Sequence, residues 1–273
     1  MMTSPRGERP VRGYRIVGVV HLPPLPGSAR GPSASDMHRI LEHARRDAAA
    51  WAAGGADAVI VENFGDVPFR KDHVGPETIA AMTLAVAAVI AESGLPTGVN
   101  VLRNDVEGAV GIAAATGARF VRANVYVGAA MTDQGVIEGR AEAVQALIRR
   151  LGAGISVWAD VDVKHAAPLA ARPLGEQAED AVARGLARAV IVSGKGTGQP
   201  TDPANVREVR AVLPDTPIYI GSGGTIKSLP TLLAVADGAI VGTAAKADGI
   251  LGNSVDPDRV RSLVSAAKAV SDR

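Results

Sequence analysis

The sequence predicts an α/β fold, a single (β/α)8 TIM barrel, and three observations carry that prediction. Eight short apolar, β-branched runs alternate with eight alanine-rich segments of helical spacing, an order that forces parallel pairing through right-handed crossovers. The last two runs stop at glycines, in Ile220-Gly221-Ser222-Gly223-Gly224-Thr225 and Val241-Gly242-Thr243. The loops after strands seven and eight of such barrels commonly hold phosphate. Finally, 273 residues suit one barrel of about 250. An open doubly wound sheet satisfies the alternation too, but eight units ending in two glycine loops favour closure. Residues 1–14 read as a flexible lead-in and 15–273 as one domain.

The first strand, 15–20, runs through Ile16, Val17, Val19 and Val20, and the alanine-rich helix 36–53 stops at Gly54-Gly55. Strand 58–62 (Ala58-Val59-Ile60-Val61-Glu62) precedes helix 77–92, and strand 98–102 precedes helix 105–116. Strand 120–125 leads to helix 136–151, and strand 155–161 to helix 176–184. Strands 189–192, 218–220 and 239–241 lead to helices 203–212, 226–234 and 257–270. Asp202-Pro203 and Asp256-Pro257 each set a capping carboxylate before a proline at the first helical position.

Composition excludes several functions. Lysine plus arginine total 29 against 28 aspartate plus glutamate, so no global field draws nucleic acid or anionic lipid. The chain has no cysteine, hence no disulfide, thiolate ligand or cysteine nucleophile. The polar, arginine-rich start lacks the apolar core of a signal peptide, and the apolar stretch 79–91 is short for a membrane span. A cytoplasmic protein with no membrane span and no nucleic-acid partner is expected.

Strand residues alternate between the helix layer and the barrel interior. In the fifth strand Val157, Ala159, Val161 and Val163 share the helix-facing parity, which turns Ser156, Trp158, Asp160, Asp162 and Lys164 inward. The fourth strand turns Arg122 and Asn124 inward, with Val121, Ala123 and Val125 outside, and the third turns Asn100 inward. Buried charges must be paired or meet a ligand. Asp160 and Asp162, with α-carbons roughly 6.6 Å apart on one strand face, offer a base near neutral pH; the alternative is a structural network tying Arg122 to Asp160.

His21, Glu62, Asn63, Asp162, Lys164 and His165 fall on the C-terminal rim, where barrel enzymes place their chemistry. The candidate catalytic set is Asp160, Asp162, Lys164, His165, His21 and Glu62, with the histidines as acid–base groups. Candidate substrate and phosphate contacts are Asn100, Arg122, Asn124, Ser193, Gly194, Gly221, Ser222, Gly223, Gly242 and Thr243; the glycines admit a phosphate to bare backbone N–H groups. Glu62, Asp160 and Asp162 are oxygen donors suited to Mg²⁺ or Mn²⁺, although no metal motif of fixed spacing is present. The stretch 23–35 is long enough to cover the rim as a lid.

Several blocks then match a known pattern. They are Val19-Val20-His21-Leu22-Pro23-Pro24-Leu25-Pro26-Gly27-Ser28, Val61-Glu62-Asn63-Phe64-Gly65-Asp66, Asp162-Val163-Lys164-His165-Ala166, Gly221-Ser222-Gly223, and Gly242-Thr243 with Lys246, Asp248-Gly249, Asn253 and Val255-Asp256. Together they resemble the BtpA family over essentially the whole chain. The resemblance implies a ribulose-phosphate-binding type of barrel, a homo-oligomer, and a link to photosystem I biogenesis through the family's founding member. Gly224-Thr225-Ile226-Lys227, Ala244-Ala245 and Ser254 depart from the family's usual residues at the expected phosphate rim. The functional expectation is an enzyme acting on a phosphorylated small molecule, such as a sugar phosphate, by acid–base isomerase or lyase chemistry. The alternatives are a non-catalytic assembly factor and a metal-dependent phosphate-ester hydrolase.

Overall fold

The computed structural model describes residues 13–33, 36–161, 165–170, 172–194 and 200–269. Eight parallel strands close on themselves: β1 (Ile16–His21), β2 (Ala58–Glu62), β3 (Thr97–Asn100), β4 (Phe120–Ala123), β7 (Ser156–Val161), β9 (Ala189–Val192), β10 (Ile218–Ile220) and β11 (Gly238–Val241). Closure comes from β1 pairing β11 through Ile16–Ala239, Val17–Ile240 and Gly18–Val241, and β2 through Val17–Ala58 to His21–Glu62. The helices are α1 (Met37–Ala53), α2 (Pro76–Ser93), α3 (Val106–Thr116), α4 (Ala141–Leu151), α5 (Leu174–Glu179), α6 (Pro203–Val212), α7 (Leu229–Leu232) and α8 (Pro257–Lys268). Asp202 caps α6 by accepting from Ala204 N, and Asp256 caps α8 by accepting from Asp258 N, both at 2.8 Å.

Period-two alternation partitions each strand. Val59, Val61, Val121, Val157, Ala159, Val161, Val190 and Val192 pack outward with the helices, while Val17, Val19, Ala58, Ile60, Phe120, Trp158, Ala189, Ile191, Tyr219 and Ile240 fill the interior. The inner cluster is built around an aromatic stack: Trp158 lies between Phe120 (ring centroids 3.9 Å) and Tyr219 (4.2 Å). Gly98 is needed for it, because a Cβ there would sit 2.1 Å from the Phe120 ring. Tyr14, expected in the flexible lead-in, packs on Trp158 from below at 6.2 Å; the lead-in's first twelve residues lie outside the described ones.

The sequence reading departs from the structure chiefly between the fourth and fifth barrel strands and just after the fifth. Helix 136–151 was expected there, but Gly135–Glu138 is a strand, β6, paired antiparallel with β5 (Ala129–Thr132), and α4 begins only at Ala141. A further strand, β8 (Ala166–Pro168), pairs with β5 to complete a three-stranded sheet beside the barrel. Val125, assigned to the helix layer, packs with Ile137 beneath this sheet instead. Helix 226–234 shrinks to the single turn of α7, because Thr225 and Ser228 hydrogen-bond each other through side chain and backbone and hold the chain in a turn.

Helix α2 is apolar enough, over 18 residues of mean hydropathy 1.3, to pass as a membrane span. Thr78, Ala81, Met82, Ala85, Val86 and Val89 are nevertheless buried against the barrel, as the core face of a barrel helix requires. Ala80, Leu84 and Ala87 form its exposed face. At the other end of the sheet, the stretch 23–35 is anchored at its start. Leu22 and Leu25 are buried, and Leu25 N donates to Asp66 at 2.7 Å; residues 34 and 35 are outside the described residues.

Candidate active site at the barrel mouth

Each inward strand parity, followed one step beyond the apolar interior, ends in a polar residue or a glycine. β1 gives His21, β2 Glu62, β3 Asn100, β4 Arg122, β7 Asp160 and β9 Ser193, while β10 and β11 give Gly221 and Gly242. The C-terminal end of the barrel thus carries a ring of polar groups over an apolar floor. A hydrogen-bonded chain runs round it. The Arg122 guanidinium donates to both oxygens of Asp160 (Nε to Oδ2 2.8 Å, Nη2 to Oδ1 3.0 Å) and to Glu62 Oε1 (3.2 Å). Asn100 donates to Glu62 at 3.1 Å, Asn124 to Asp160 at 2.8 Å, and the Ser193 hydroxyl to Asp160 at 3.4 Å.

These groups are buried, and the one guanidinium serves two carboxylates, which leaves the triad of Glu62, Arg122 and Asp160 a formal charge of −1. Burial works against the Arg122 charge, but Asp160 and then Glu62 outweigh it and push its pKa above the ordinary arginine value. The guanidinium stays charged and bidentate, as a planar fork facing a carboxylate should be. Among the described residues, three of its five N–H groups serve the two carboxylates. Asp160 accepts four hydrogen bonds and is already committed as an acceptor.

The last two barrel loops join the ring. Gly194 N donates to the Ser222 hydroxyl (2.8 Å), and Thr201 donates to Ser222 O (3.1 Å), so the loop after β9 ties Asp160 to the loop after β10. Gly223 has φ +73°, a left-handed conformation that glycine adopts at little cost. The missing side chains of Gly221 and Gly242 serve neighbours inside the barrel. A Cβ at Gly221 would lie 2.2 Å from Ser193 Oγ, and one at Gly242 2.6 Å from the His21 ring. His21 itself is half-buried, edge-on to Phe64. Thr243 opens a short turn after β11.

Three sequence-derived candidates stand apart. Asp162 and Lys164 lie outside the described residues. His165 is exposed, with φ 55°, and leads into β8 off the barrel strands, so the ring holds His21 but not His165. Asn63, placed on the rim, is a structural clip: its oxygen accepts from Leu102 N (2.7 Å) and its amide donates to Asp66 (3.0 Å). Among the described residues no group of three or more His, Asp or Glu side chains is arranged to hold a metal. Glu62 and Asp160, two of the expected ligands, are bridged by a guanidinium, a poor fit to a cation.

Sequence reading missed the role of two buried cations. Arg103, three residues past β3, is 7% exposed; burial lowers its pKa against the attraction of Asp160 and Asp133. Its signal was the polar run Arg103-Asn104-Asp105 directly after a barrel strand. Lys246 donates to Asp47 of α1 at 2.6 Å, with both residues fully buried, and Asp47 also accepts from Val255 N. Here the signal was a charge amid the apolar face Ala44, Ala48 and Trp51. One turn away, His43 sits 3.1 Å from the His21 carbonyl and 3.1 Å from Arg46 Nη2. Arg46 has only protons to give, so Nδ1 accepts and Nε2 donates to the carbonyl. Burial lowers the His43 pKa below 6.5 and outweighs Asp47.

With the geometry established, comparison with known proteins fixes the lineage. The BtpA family model matches residues 13–269. The chain belongs to the BtpA family. It is 41% identical over 251 residues to the photosystem I biogenesis protein BtpA of Synechocystis, covering 92% of this chain and 87% of that one. Among solved structures it is similar to (S)-3-O-geranylgeranylglyceryl phosphate synthase from Thermoplasma acidophilum in complex with sn-glycerol-1-phosphate. That match has a TM-score of 0.60 at 17% identity, over 94% of each chain. Phosphoribosyl anthranilate isomerase from Thermus thermophilus matches with a TM-score of 0.54 at 15% identity, over 94% of this chain and 99% of that one. At these identities the structural likenesses establish the barrel; the BtpA match establishes descent.

Proposed function

We propose that this BtpA-family barrel is an enzyme that binds a phosphorylated small molecule in its C-terminal mouth and moves a proton on it, as an isomerase or lyase does. The observation that carries the reading is the ring itself: buried charges on three strands, Glu62, Arg122 and Asp160, with the polar Asn100 and Ser193 from two more, at the end where barrels place chemistry. A fold held together for scaffolding alone has no need of them, since apolar residues of similar volume there are neutral or stabilising. That two structurally similar barrels bear names with phosphate-ester ligands supports the class of ligand. In this reading the loops at Ser222–Gly223 and Gly242–Thr243 take the phosphate on backbone N–H groups, the Gly221 N–H being already donated to Val192 O (2.9 Å). Asp160, saturated by donors, orients Arg122, whose guanidinium faces developing negative charge on the substrate. Asp162 is then the base, and His21 the group that returns the proton.

Two measurements test it. Thermal unfolding against a panel of phosphate esters should show one that stabilises the protein, by about 2.7 kcal/mol at a hundredfold excess over Kd. With that compound, Asp162→Asn should abolish turnover while leaving its binding in place; full activity removes Asp162 from the base role. The identity with a photosystem I biogenesis protein favours a second reading, a non-catalytic assembly factor. Indifference to every phosphate ester would select it.

A further inference from the structure

The barrel closes where β1 meets β11, and the two groups that the reading above places at that seam rest on each other: a Cβ on Gly242 would lie 2.6 Å from the His21 ring. Close by is a charged pair that the proposed chemistry leaves unused. Lys246 Nζ donates to Asp47 Oδ2 at 2.6 Å, and Asp47 lies on the buried face of α1. The contacts form a closed circuit. From Gly242 the chain makes one short turn, Thr243–Ala245, in which Ala245 N and Lys246 N donate back to the carbonyls of Gly242 and Thr243, both at 3.1 Å. Lys246 ends this turn and joins it to Asp47. One helical turn before Asp47, His43 Nε2 lies 3.5 Å from Asp47 Oδ2 and donates to the His21 carbonyl at 3.1 Å, which leads back to the ring against Gly242.

A buried ion pair adds little net stability over apolar residues of the same volume. What it supplies is a single permitted geometry, since two charges held in an apolar layer do not slide past each other as methyl groups do. Asp47 Oδ1 fixes the far end of the same loop by accepting from Val255 N at 3.1 Å, while Asp256 N and Arg259 Nε donate to the Ala245 and Ala244 carbonyls at 2.9 and 3.0 Å. Sites that hold a substrate for proton transfer depend on such support, because a misplacement of about 1 Å costs roughly a hundredfold in rate. We infer that Asp47, Lys246 and His43 are positioning residues of the mouth. The pair sets the Gly242–Thr243 turn, and His43 ties the His21 end of β1 to it, so that the anion site and the proton donor keep one separation. What they position rests on the function proposed above; the circuit of contacts does not.

The test reads the full chain in two ways. Nuclear magnetic resonance of the imidazole C–H signals follows His21, one of five histidines, assigned with His21→Gln; calorimetry follows the binding of inorganic phosphate and ethyl phosphate. Asp47→Asn/Lys246→Met removes both charges and keeps an acceptor for Val255 N. It should shift or broaden the His21 signal, leave that of His73, held by Asp105, in place, and weaken the better-bound probe about tenfold, the scale of one hydrogen bond to a charged group. A pair that serves stability alone predicts no change in the His21 signal or the affinity. His43→Leu and His43→Gln leave the buried pair intact and differ in whether an N–H can reach the His21 carbonyl, so the glutamine should keep the His21 line narrow and the leucine should broaden it. The inference is overturned if the His21 signal is the same in wild type and the charge-free variant, or, should that variant not fold, if His43→Leu and His43→Gln give the same His21 line. A moved His21 signal with unchanged probe affinity overturns the assignment of the turn. If neither probe binds the wild type, the phosphate reading falls and the His21 signals alone decide the positioning role.

Discussion

Arg122→Met removes the one cation between two buried carboxylates and keeps most of the side chain's volume. The wild-type guanidinium makes three hydrogen bonds of 2.8, 3.0 and 3.2 Å to Asp160 and Glu62, from a position about 7% exposed. The intact triad owes little net stability to these contacts, because desolvation of three charges offsets them. The variant, however, strands two like charges in a low-dielectric interior, and breaking such a pair costs about 3–5 kcal/mol. Unfolding entropy of about 2.1 cal/mol/K per residue over the whole chain makes this a drop in Tm of roughly 5–9 °C. The assay is urea and thermal unfolding of wild type, of Arg122→Met, and of the triple variant Arg122→Met/Glu62→Gln/Asp160→Asn. Removing all three charges should recover most of the loss, a non-additivity of several kcal/mol between contacting sites. A single-variant loss below about 1 kcal/mol, the range of solvated surface pairs, would refute the account of a buried, mutually dependent ring.

Three further outcomes follow from the packing. Lys246→Met should cost about 3–5 kcal/mol by leaving Asp47 uncompensated in the core, and adding Asp47→Leu should restore much of it; denaturant titration measures both. Gly98→Ala, which drives a methyl into the Phe120 ring, should destabilise by at least 1–3 kcal/mol through overpacking and disturb the near-ultraviolet dichroism of the aromatic stack. For His43 the lowered folded pKa means that the unfolded chain takes up a proton below pH 6.5 before the folded one does. Its contribution is therefore complete above that pH and is lost as pH falls through and below it. The stability difference between wild type and His43→Gln should shrink from pH 8 to pH 5; a difference independent of pH would refute the assignment.

What could be read from the sequence was whatever local pattern controls. Trp158 and Asp160 alternate with Val157, Ala159 and Val161, and the strand faces inward and outward as that alternation dictates. The same rule placed Asn100, Arg122 and Asn124 inside before any coordinates. The hairpin of β5 and β6 escaped because Val136 and Ile137 run straight into the helical spacing of α4. Only Gly135, at φ +90°, marks the reversal. The Asp47–Lys246 pair joins residues 199 positions apart, a separation at which one sequence carries no pairing signal. At Gly221 and Gly242 the glycines were legible but their use was not: they make room for Ser193 and His21, a demand set by strands closed across the barrel.

The stack of Phe120, Trp158 and Tyr219, sealed underneath by Tyr14, makes the barrel a well with a solid bottom. Any molecule bound at the mouth would therefore come and go on the side of the polar ring alone.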